Sequence, residues 1–279
     1  MDVNIDVHMT EIKTTARRAV VVGTATVSYA VDGAGPGLVL VHGTAASADA
    51  NWAHLVERFA ADRTVVRPDY AGSGATRDHG GRLEIDQLVA QVAAAAEDAG
   101  AVPCELVGFS LGAAVAASLA AQRPDLVRSL VLLGGFASTT ADARSQLQFS
   151  LWRRMFDTDR DVLARLGVLT GVSPAFLAGM TPAELEEAIV ESARTLPPGT
   201  ARQADLALRV DIAAQLASIS APTLVIGQTG DHVVPVELSR ALHAAIPGAA
   251  YAELDTGHLG LLEQPDLLAA TIREFLGRR

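Results

Sequence analysis

The chain of 279 residues has a single cysteine, Cys104, and a single lysine, Lys13. With one thiol it cannot form an intramolecular disulfide. Because Cys104 lies in an apolar run, we interpret it as a buried strand residue rather than a reactive group. Acidic residues outnumber basic ones, and the net charge of −10 disfavours nucleic acid or an anionic membrane surface as a partner.

Long apolar runs, secretion signals and metal-binding patterns are also missing. Runs such as residues 88–96 are too short to cross a bilayer, so we expect no membrane partner. The first residues lack a basic-then-apolar pattern, so we expect a cytoplasmic protein. The histidines show no metal-ligand spacing, and the glycine-rich segment 33–37 precedes a strand rather than a helix. We therefore expect no metal and no cofactor.

Hydrophobic residues make up 49% of the chain, enough for a large core. Short β-branched runs alternate with longer alanine- and leucine-rich runs, a rhythm typical of an α/β protein with a mostly parallel sheet. An antiparallel pair of strands is predicted over 18–23 and 25–32. Further strands are predicted over 38–41, 64–67, 105–109, 126–133, 222–227 and 250–254, with helices over 52–60, 83–99, 111–122, 236–245 and 265–277.

This alternation stops between residues 136 and 216, where no strand is predicted. Helices are expected instead over 143–155, 161–169, 182–196 and 201–217. Because the strands resume afterwards, we predict an insertion into a continuing sheet rather than a domain at one terminus. The predicted core is 1–135 with 217–279, and 136–216 is predicted to be a helical cap that lies as a lid over the C-terminal edge of the sheet.

The most informative motif is Gly-x-Ser-x-Gly at residues 108–112, between a predicted strand and an alanine-rich helix. A serine on such a sharp turn is forced outward, and the flanking glycines let neighbouring backbone approach. The helix that follows directs its N–H groups at the turn, which stabilises developing negative charge. Ser110 is therefore the candidate nucleophile.

A serine hydroxyl needs a positioned base to react at neutral pH. Asp231 follows the predicted strand 222–227, and His258 follows the predicted strand 250–254. Both are therefore expected at the C-terminal ends of their strands, the edge at which Ser110 also lies. The order serine, aspartate, histidine predicts a triad in which His258 takes the serine proton and Asp231 orients the imidazole.

Several motifs together resemble the α/β-hydrolase fold superfamily. They are His42-Gly43-Thr44, the segment 68–74, Gly108 to Gly112, the segment 227–235 and Gly257-His258. The resemblance covers nearly the whole chain and implies a mostly parallel eight-stranded sheet flanked by helices, with an inserted helical cap. It also implies a carboxylesterase-like enzyme whose oxyanion hole is formed by the backbone N–H groups of Thr44 and Leu111.

The substrate is less constrained by the sequence. Dehalogenases and epoxide hydrolases of this fold place aspartate where this chain has Ser110, so acyl chemistry is expected. We predict cleavage of a small or medium hydrophobic ester, thioester or lactone through an acyl-enzyme, with Trp152, Met155, Phe156 and Leu259 binding the substrate. A homodimeric assembly is left open.

Other functions of the same fold stay open at this point. They are a carbon–carbon bond hydrolase, a cofactor-free perhydrolase and a hydrolase or cyclase that tailors secondary metabolites. Carbon–carbon hydrolases usually have tryptophan after the catalytic histidine, where this chain has Leu259. A non-catalytic ligand-binding protein is disfavoured because the triad and the oxyanion loop are both kept. His42 is interpreted as a loop-shaping residue, His232 as a packing residue and Asp69 as part of a turn.

Overall fold

The computed structural model describes residues 17–277, so Lys13 and the N-terminal pattern lie outside the described residues. The strands are β1 (Arg17–Val22), β2 (Ala25–Asp32), β3 (Gly37–Val41), β4 (Thr64–Pro68), β5 (Cys104–Phe109), β6 (Val127–Leu133), β7 (Thr223–Gln228) and β8 (Ala250–Leu254). The helices are α1 (Ala48–Trp52), α2 (Glu57–Ala60), α3 (Ile85–Asp98), α4 (Leu111–Gln122), α5 (Ala143–Thr158), α6 (Arg160–Gly171), α7 (Pro174–Gly179), α8 (Pro182–Thr195), α9 (Thr200–Arg209), α10 (Val236–Ala245), α11 (Gly260–Glu263) and α12 (Pro265–Gly277).

The strands form one eight-stranded sheet in the order β1-β2-β4-β3-β5-β6-β7-β8. β2 pairs antiparallel with β1 and β4, and the other pairs are parallel. β5 lies between β3 and β6, and all six of its residues are buried. This confirms the predicted mostly parallel sheet. It also places the C-terminal end of β5 near the middle of the edge formed by the strand ends.

Helices cover both faces of the sheet, which explains the continuous apolar runs of the central strands. Alternate residues of β5 enter different cores, since side chains of a strand point to opposite faces. Leu106 packs in the core that contains Leu88 of α3, whereas Val107 packs in the core that contains Leu268 and Ile272 of α12. The turn after β5 is thereby held from both sides.

Two predicted helices differ in the structure, and one helix was not predicted. The helix expected over 52–60 begins earlier, at Ala48, and is divided by a 3-10 turn into α1 and α2. The helix expected over 201–217 ends at Arg209, because Ile212 N–H donates to Ala137 O at 2.9 Å and Asp211 pairs with Ser138. The short helix α7 was not predicted.

Five helices, α5 to α9, lie between β6 and β7, and we call residues 143–209 the inserted helices. They contact the core through its loops: Gly199 N–H donates to Gly72 O at 2.9 Å, and Leu259 N–H donates to Gly171 O at 2.6 Å. Their separation as a cap domain stays a prediction. No helix among residues 17–277 has the length and apolarity needed to cross a membrane.

Candidate active site

Ser110 lies in the sharp turn between β5 and α4, with a φ of 56° that residues other than glycine rarely adopt. The two glycines of the motif make this turn possible. A Cβ added at Gly108 would lie 2.3 Å from Gly112 O, and one added at Gly112 would lie 2.3 Å from His42 O. Ser110 N–H donates to Leu133 O at 3.0 Å, which ties the turn to the end of β6.

The structure brings Ser110, His258 and Asp231 into one hydrogen-bonded chain. His258 Nε2 lies 3.0 Å from Ser110 Oγ, and His258 Nδ1 lies 2.6 Å from Asp231 Oδ2. All three side chains are buried. Residues separated by up to 148 positions thus meet at one sheet edge, with the geometry that a serine nucleophile and its base require.

Asp231 is held by backbone donors on the side away from the histidine. Its Oδ1 accepts hydrogen bonds from Val233 N–H at 2.8 Å and Val234 N–H at 2.7 Å. Because both of these groups can only donate, Oδ1 is fixed as an acceptor and Oδ2 is left to receive the imidazole N–H. When the imidazole carries one proton, this arrangement places it on Nδ1 and leaves the Nε2 lone pair facing the Ser110 hydroxyl.

His258 is supported by Gln228, the last residue of β7. The Gln228 amide donates to His258 O at 2.7 Å and also to Gly257 O, so it holds the backbone of the loop that carries the imidazole. The Phe109 ring lies 4.8 Å from the imidazole, centroid to centroid. Gln228 was not predicted from the sequence, since a glutamine ending a buried strand has no motif that marks it.

The loop after β3 lies directly beside Ser110, because a Cβ added at Gly43 would come within 3.0 Å of Ser110 Cβ. Gly43 O accepts a hydrogen bond from the Tyr70 hydroxyl at 2.9 Å, and Gly43 N–H donates to Asn51 Oδ1 at 2.9 Å. The C=O and N–H of a trans peptide point in opposite directions, so anchoring Gly43 O turns Thr44 N–H to the other side.

Within residues 17–277, no protein acceptor is recorded for the N–H of Thr44 or of Leu111. Two such donors beside Ser110, the candidate nucleophile, suit an oxyanion, and the N-terminus of α4 adds its dipole. The assignment of Thr44 and Leu111 as the oxyanion hole stays a prediction.

His42 and Asp69 are occupied in the structure of the neighbouring loops. The His42 ring stacks on Tyr70 with centroids 3.8 Å apart, and its complete burial lowers the pKa of the imidazole. Asp69 Oδ1 accepts from Ala48 N–H at 2.8 Å, and Asp69 is paired with Arg17. These contacts fit the structural roles assigned to both residues from the sequence.

Comparison with known proteins agrees with this architecture. Residues 36–265 match the alpha/beta hydrolase fold family. The chain belongs to this family. It is 48% identical to pyrrolizixenacetamide deacetylase of Xenorhabdus hominickii, an alignment that covers 91% of this chain and 96% of the relative.

Two further matches have lower sequence identity to this chain. The chain is 27% identical to 2-hydroxy-6-oxo-2,4-heptadienoate hydrolase of Pseudomonas putida, over 96% of this chain and 99% of that one. The crystal structure of an enol-lactonase from Burkholderia xenovorans superposes with a TM-score of 0.81 at 23% identity, covering 93% of this chain and all of the other. The family and the named deacetylase together identify this α/β hydrolase as an enzyme.

The predicted substrate-binding residues of this α/β hydrolase lie in two places. Trp152, Met155 and Phe156 lie on α5, where Trp152 packs edge-to-face against Phe149 with centroids 5.7 Å apart. The Phe156 ring is covered by the guanidinium group of Arg160. Leu259 directly follows His258 in the chain, and its side chain lies against Gly171 of the inserted helices. Their role in substrate binding stays a prediction.

His232 and Cys104 lie outside the triad. His232 is half-buried, and its Nδ1 lies 2.6 Å from an Arg144 nitrogen. Cys104 is buried in β5, and burial raises the pKa of its thiol to about 12. A thiol with this pKa stays protonated near neutral pH and is a poor nucleophile, which supports the structural interpretation of the cysteine.

Proposed function

We propose that this α/β hydrolase cleaves a small or medium hydrophobic acyl substrate through an acyl-enzyme on Ser110. The observation that carries the proposal is the continuous chain from Ser110 Oγ to His258 Nε2 at 3.0 Å and from His258 Nδ1 to Asp231 at 2.6 Å. A base within hydrogen-bond reach of the hydroxyl, itself oriented by a carboxylate, is the arrangement that activates serine.

The proposed reaction has two stages. Ser110 Oγ attacks the carbonyl carbon while His258 Nε2 takes the hydroxyl proton, and the resulting oxyanion is stabilised by the N–H groups of Thr44 and Leu111. His258 then gives its proton to the leaving group, which departs and leaves an ester at Ser110. A water molecule, deprotonated by His258, hydrolyses this ester and restores the serine.

An ester, a thioester and a lactone all fit this sequence of steps. A second candidate is an N-acetyl amide, because the relative that is 48% identical is named as a deacetylase of pyrrolizixenacetamide. An amine leaving group depends on the proton held by His258 more than an alcohol does. The proposed triad supplies this proton, so hydrolysis of a small acetamide is within its chemistry.

A carbon–carbon bond hydrolase is the weaker alternative. The relative with that kind of name is 27% identical, against 48% for the deacetylase. The half-buried Leu259 follows the proposed catalytic histidine here, at the position where carbon–carbon bond hydrolases usually have tryptophan.

A substrate panel with matched variants tests the proposal. We expect purified protein to hydrolyse p-nitrophenyl acetate and at least one N-acetyl amide or lactone. Ser110→Ala is expected to abolish turnover, whereas the control Ser220→Ala, at an exposed serine, keeps it. Mass spectrometry of stopped reactions is expected to find an acyl adduct on Ser110. Unchanged turnover in Ser110→Ala would refute the proposal.

The remaining expectations are proposals of the same kind. The inserted helices are proposed to form a lid over the site, since Gly171 O at the end of α6 accepts a hydrogen bond from Leu259 N–H, next to His258. A cytoplasmic location and a homodimer are tested by cell fractionation and by light scattering of the purified protein.

A further inference from the structure

The oxyanion loop, residues 43–46, is held by a side chain that comes from the inserted helices. Gln203 of α9 is fully buried, and its Oε1 accepts a hydrogen bond from Ala45 N–H at 3.1 Å. The two residues are separated by 158 positions in the chain. Ala45 directly follows Thr44, the predicted oxyanion donor, so this bond acts on the backbone next to the donor.

The same glutamine also reaches the neighbouring loop. Its Nε2 donates to Ser73 Oγ at 2.8 Å and to Ala71 O at 3.2 Å. The Ser73 hydroxyl in turn donates to Ala46 O at 2.7 Å. Gln203 therefore holds the oxyanion loop at two points, directly at Ala45 and through Ser73 at Ala46.

The backbone of Ala45 has a conformation that depends on contacts from other parts of the structure. Ala45 has a φ of 60°, and among residues 17–277 the only other non-glycine residue with a positive φ is Ser110. Such a conformation is strained for an L-residue and persists only where surrounding contacts enforce it. The bond from Ala45 N–H to Gln203 is such a contact, at a strained residue beside the nucleophile.

The position of Gln203 is itself tightly fixed. A Cβ added at Gly199, the residue before α9, would lie 2.2 Å from Gly72 Cα, so the two backbones are in direct contact. Gly199 N–H donates to Gly72 O at 2.9 Å. Because the start of α9 cannot move without breaking these contacts, the glutamine amide is presented to the oxyanion loop from a rigid support.

We propose that Gln203 is a positioning residue that holds the oxyanion loop in its reactive conformation. It thereby links the inserted helices to the oxyanion hole. The inference rests on the proposed function, in which Thr44 N–H stabilises the oxyanion. Tyr70 anchors the peptide before Thr44, and Gln203 anchors the peptide after it. Displacement of α9 would release the second anchor and reduce the stabilisation of the transition state.

The test replaces Gln203 by a side chain of similar length without hydrogen-bonding groups. Gln203→Met is expected to lower kcat for p-nitrophenyl acetate roughly ten- to a hundredfold. This decrease in kcat is no larger than the one caused by removing a whole oxyanion donor. KM is expected to change less than about threefold, because the loop stabilises charge that develops only in the transition state. The affinity for a phenylboronic acid, which forms a tetrahedral adduct with serine, is expected to fall in parallel.

The matched control is Gln148→Met in α5. Gln148 is also buried in the inserted helices, but its amide donates to Thr170 Oγ1 at 2.9 Å, within the same segment. This control is expected to keep kcat within about twofold.

The outcomes separate this inference from the proposed function. Turnover that survives Ser110→Ala would overturn both. A folded Gln203→Met variant with kcat within twofold of wild type, or an equal loss in Gln148→Met, would overturn the positioning role alone. Should Gln203→Met not fold, Ser73→Ala decides instead: a three- to tenfold lower kcat supports the role, and an unchanged kcat contradicts it.

Discussion

Replacing Asp231 by asparagine is expected to disable the proposed triad by reversing the imidazole tautomer. In the native site Asp231 Oδ1 accepts two backbone N–H groups, from Val233 and Val234, and Oδ2 accepts the N–H of His258. An asparagine amide has one oxygen and one NH₂ group, so it can satisfy only one of these sides.

The two backbone N–H groups, of Val233 and Val234, decide the orientation of the asparagine amide. With its NH₂ group toward Val233 and Val234, the asparagine would leave two buried donors without an acceptor, at about 1–3 kcal/mol each. The amide oxygen therefore faces the backbone, and the NH₂ group faces His258. Nδ1 must then accept a hydrogen bond, which moves the imidazole proton to Nε2, where it points at Ser110 Oγ instead of receiving the serine proton.

The size of the effect follows from these numbers. A preference of about 2–6 kcal/mol for the wrong orientation lowers the population of the reactive tautomer roughly 30-fold to 10⁴-fold. The variant also lacks the negative charge that stabilises the imidazolium formed during attack. We therefore expect kcat to fall by about 10⁴, the loss typical of this substitution in a serine triad.

The assay compares initial rates of ester hydrolysis for Asp231→Asn and for the control Asp255→Asn. Asp255 is an exposed carboxylate at the end of β8 that bonds to Thr229, a bond that asparagine can keep. The control is expected to retain full activity. Nitrogen chemical shifts of His258 are expected to show the proton moving from Nδ1 to Nε2. An Asp231→Asn variant that keeps more than about a tenth of the native kcat would refute the tautomer argument.

Three further predictions concern packing and reactivity. Gly112→Ala is expected to lower the free energy of unfolding in urea by about 3 kcal/mol or more, because its Cβ would lie 2.3 Å from a backbone oxygen. The control Gly167→Ala, with nothing within 4 Å, is expected to raise it by up to about 1 kcal/mol. Cys104, with a thiol pKa of about 12, is expected to resist iodoacetamide at pH 8 until urea unfolds the protein; rapid labelling of native protein would contradict its burial. Leucine at Trp152 or Phe156 is expected to change the preferred acyl chain length more than the melting temperature, and a change in melting temperature alone would assign both residues to packing.

The fold could be predicted well because its strands carry strong local signals. β8, α10 and α12 have the residue ranges expected from the sequence, and all eight strands were predicted. One difference has its physical origin in a tertiary contact. The helix expected over 201–217 ends at Arg209 because Ile212 N–H bonds to Ala137 O, a partner far away in the chain. Propensity within one segment contains no information about such a partner.

The proposed triad could be inferred because parallel strands bring their C-terminal ends to one edge. Ser110, Asp231 and His258 each follow such a strand, so chain order and strand ends suffice to place them near one another. Local motifs also mark them, since a serine between two glycines and a histidine after a glycine are visible in the sequence.

The residues that hold this geometry carry no comparable signal. Gln228 ends a strand and Gln203 lies in a helix, and in each position a glutamine is unremarkable until its buried partners are known. A buried amide is costly unless its donors and acceptor are paired, so each glutamine must have specific partners. Those partners lie on other elements: Gln228 bonds the His258 loop from β7, and Gln203 bonds the Ala45 loop from α9. Local motifs therefore predict the reactive side chains of this chain. The exact orientation of their reacting atoms depends on long-range hydrogen bonds that form only in the folded structure.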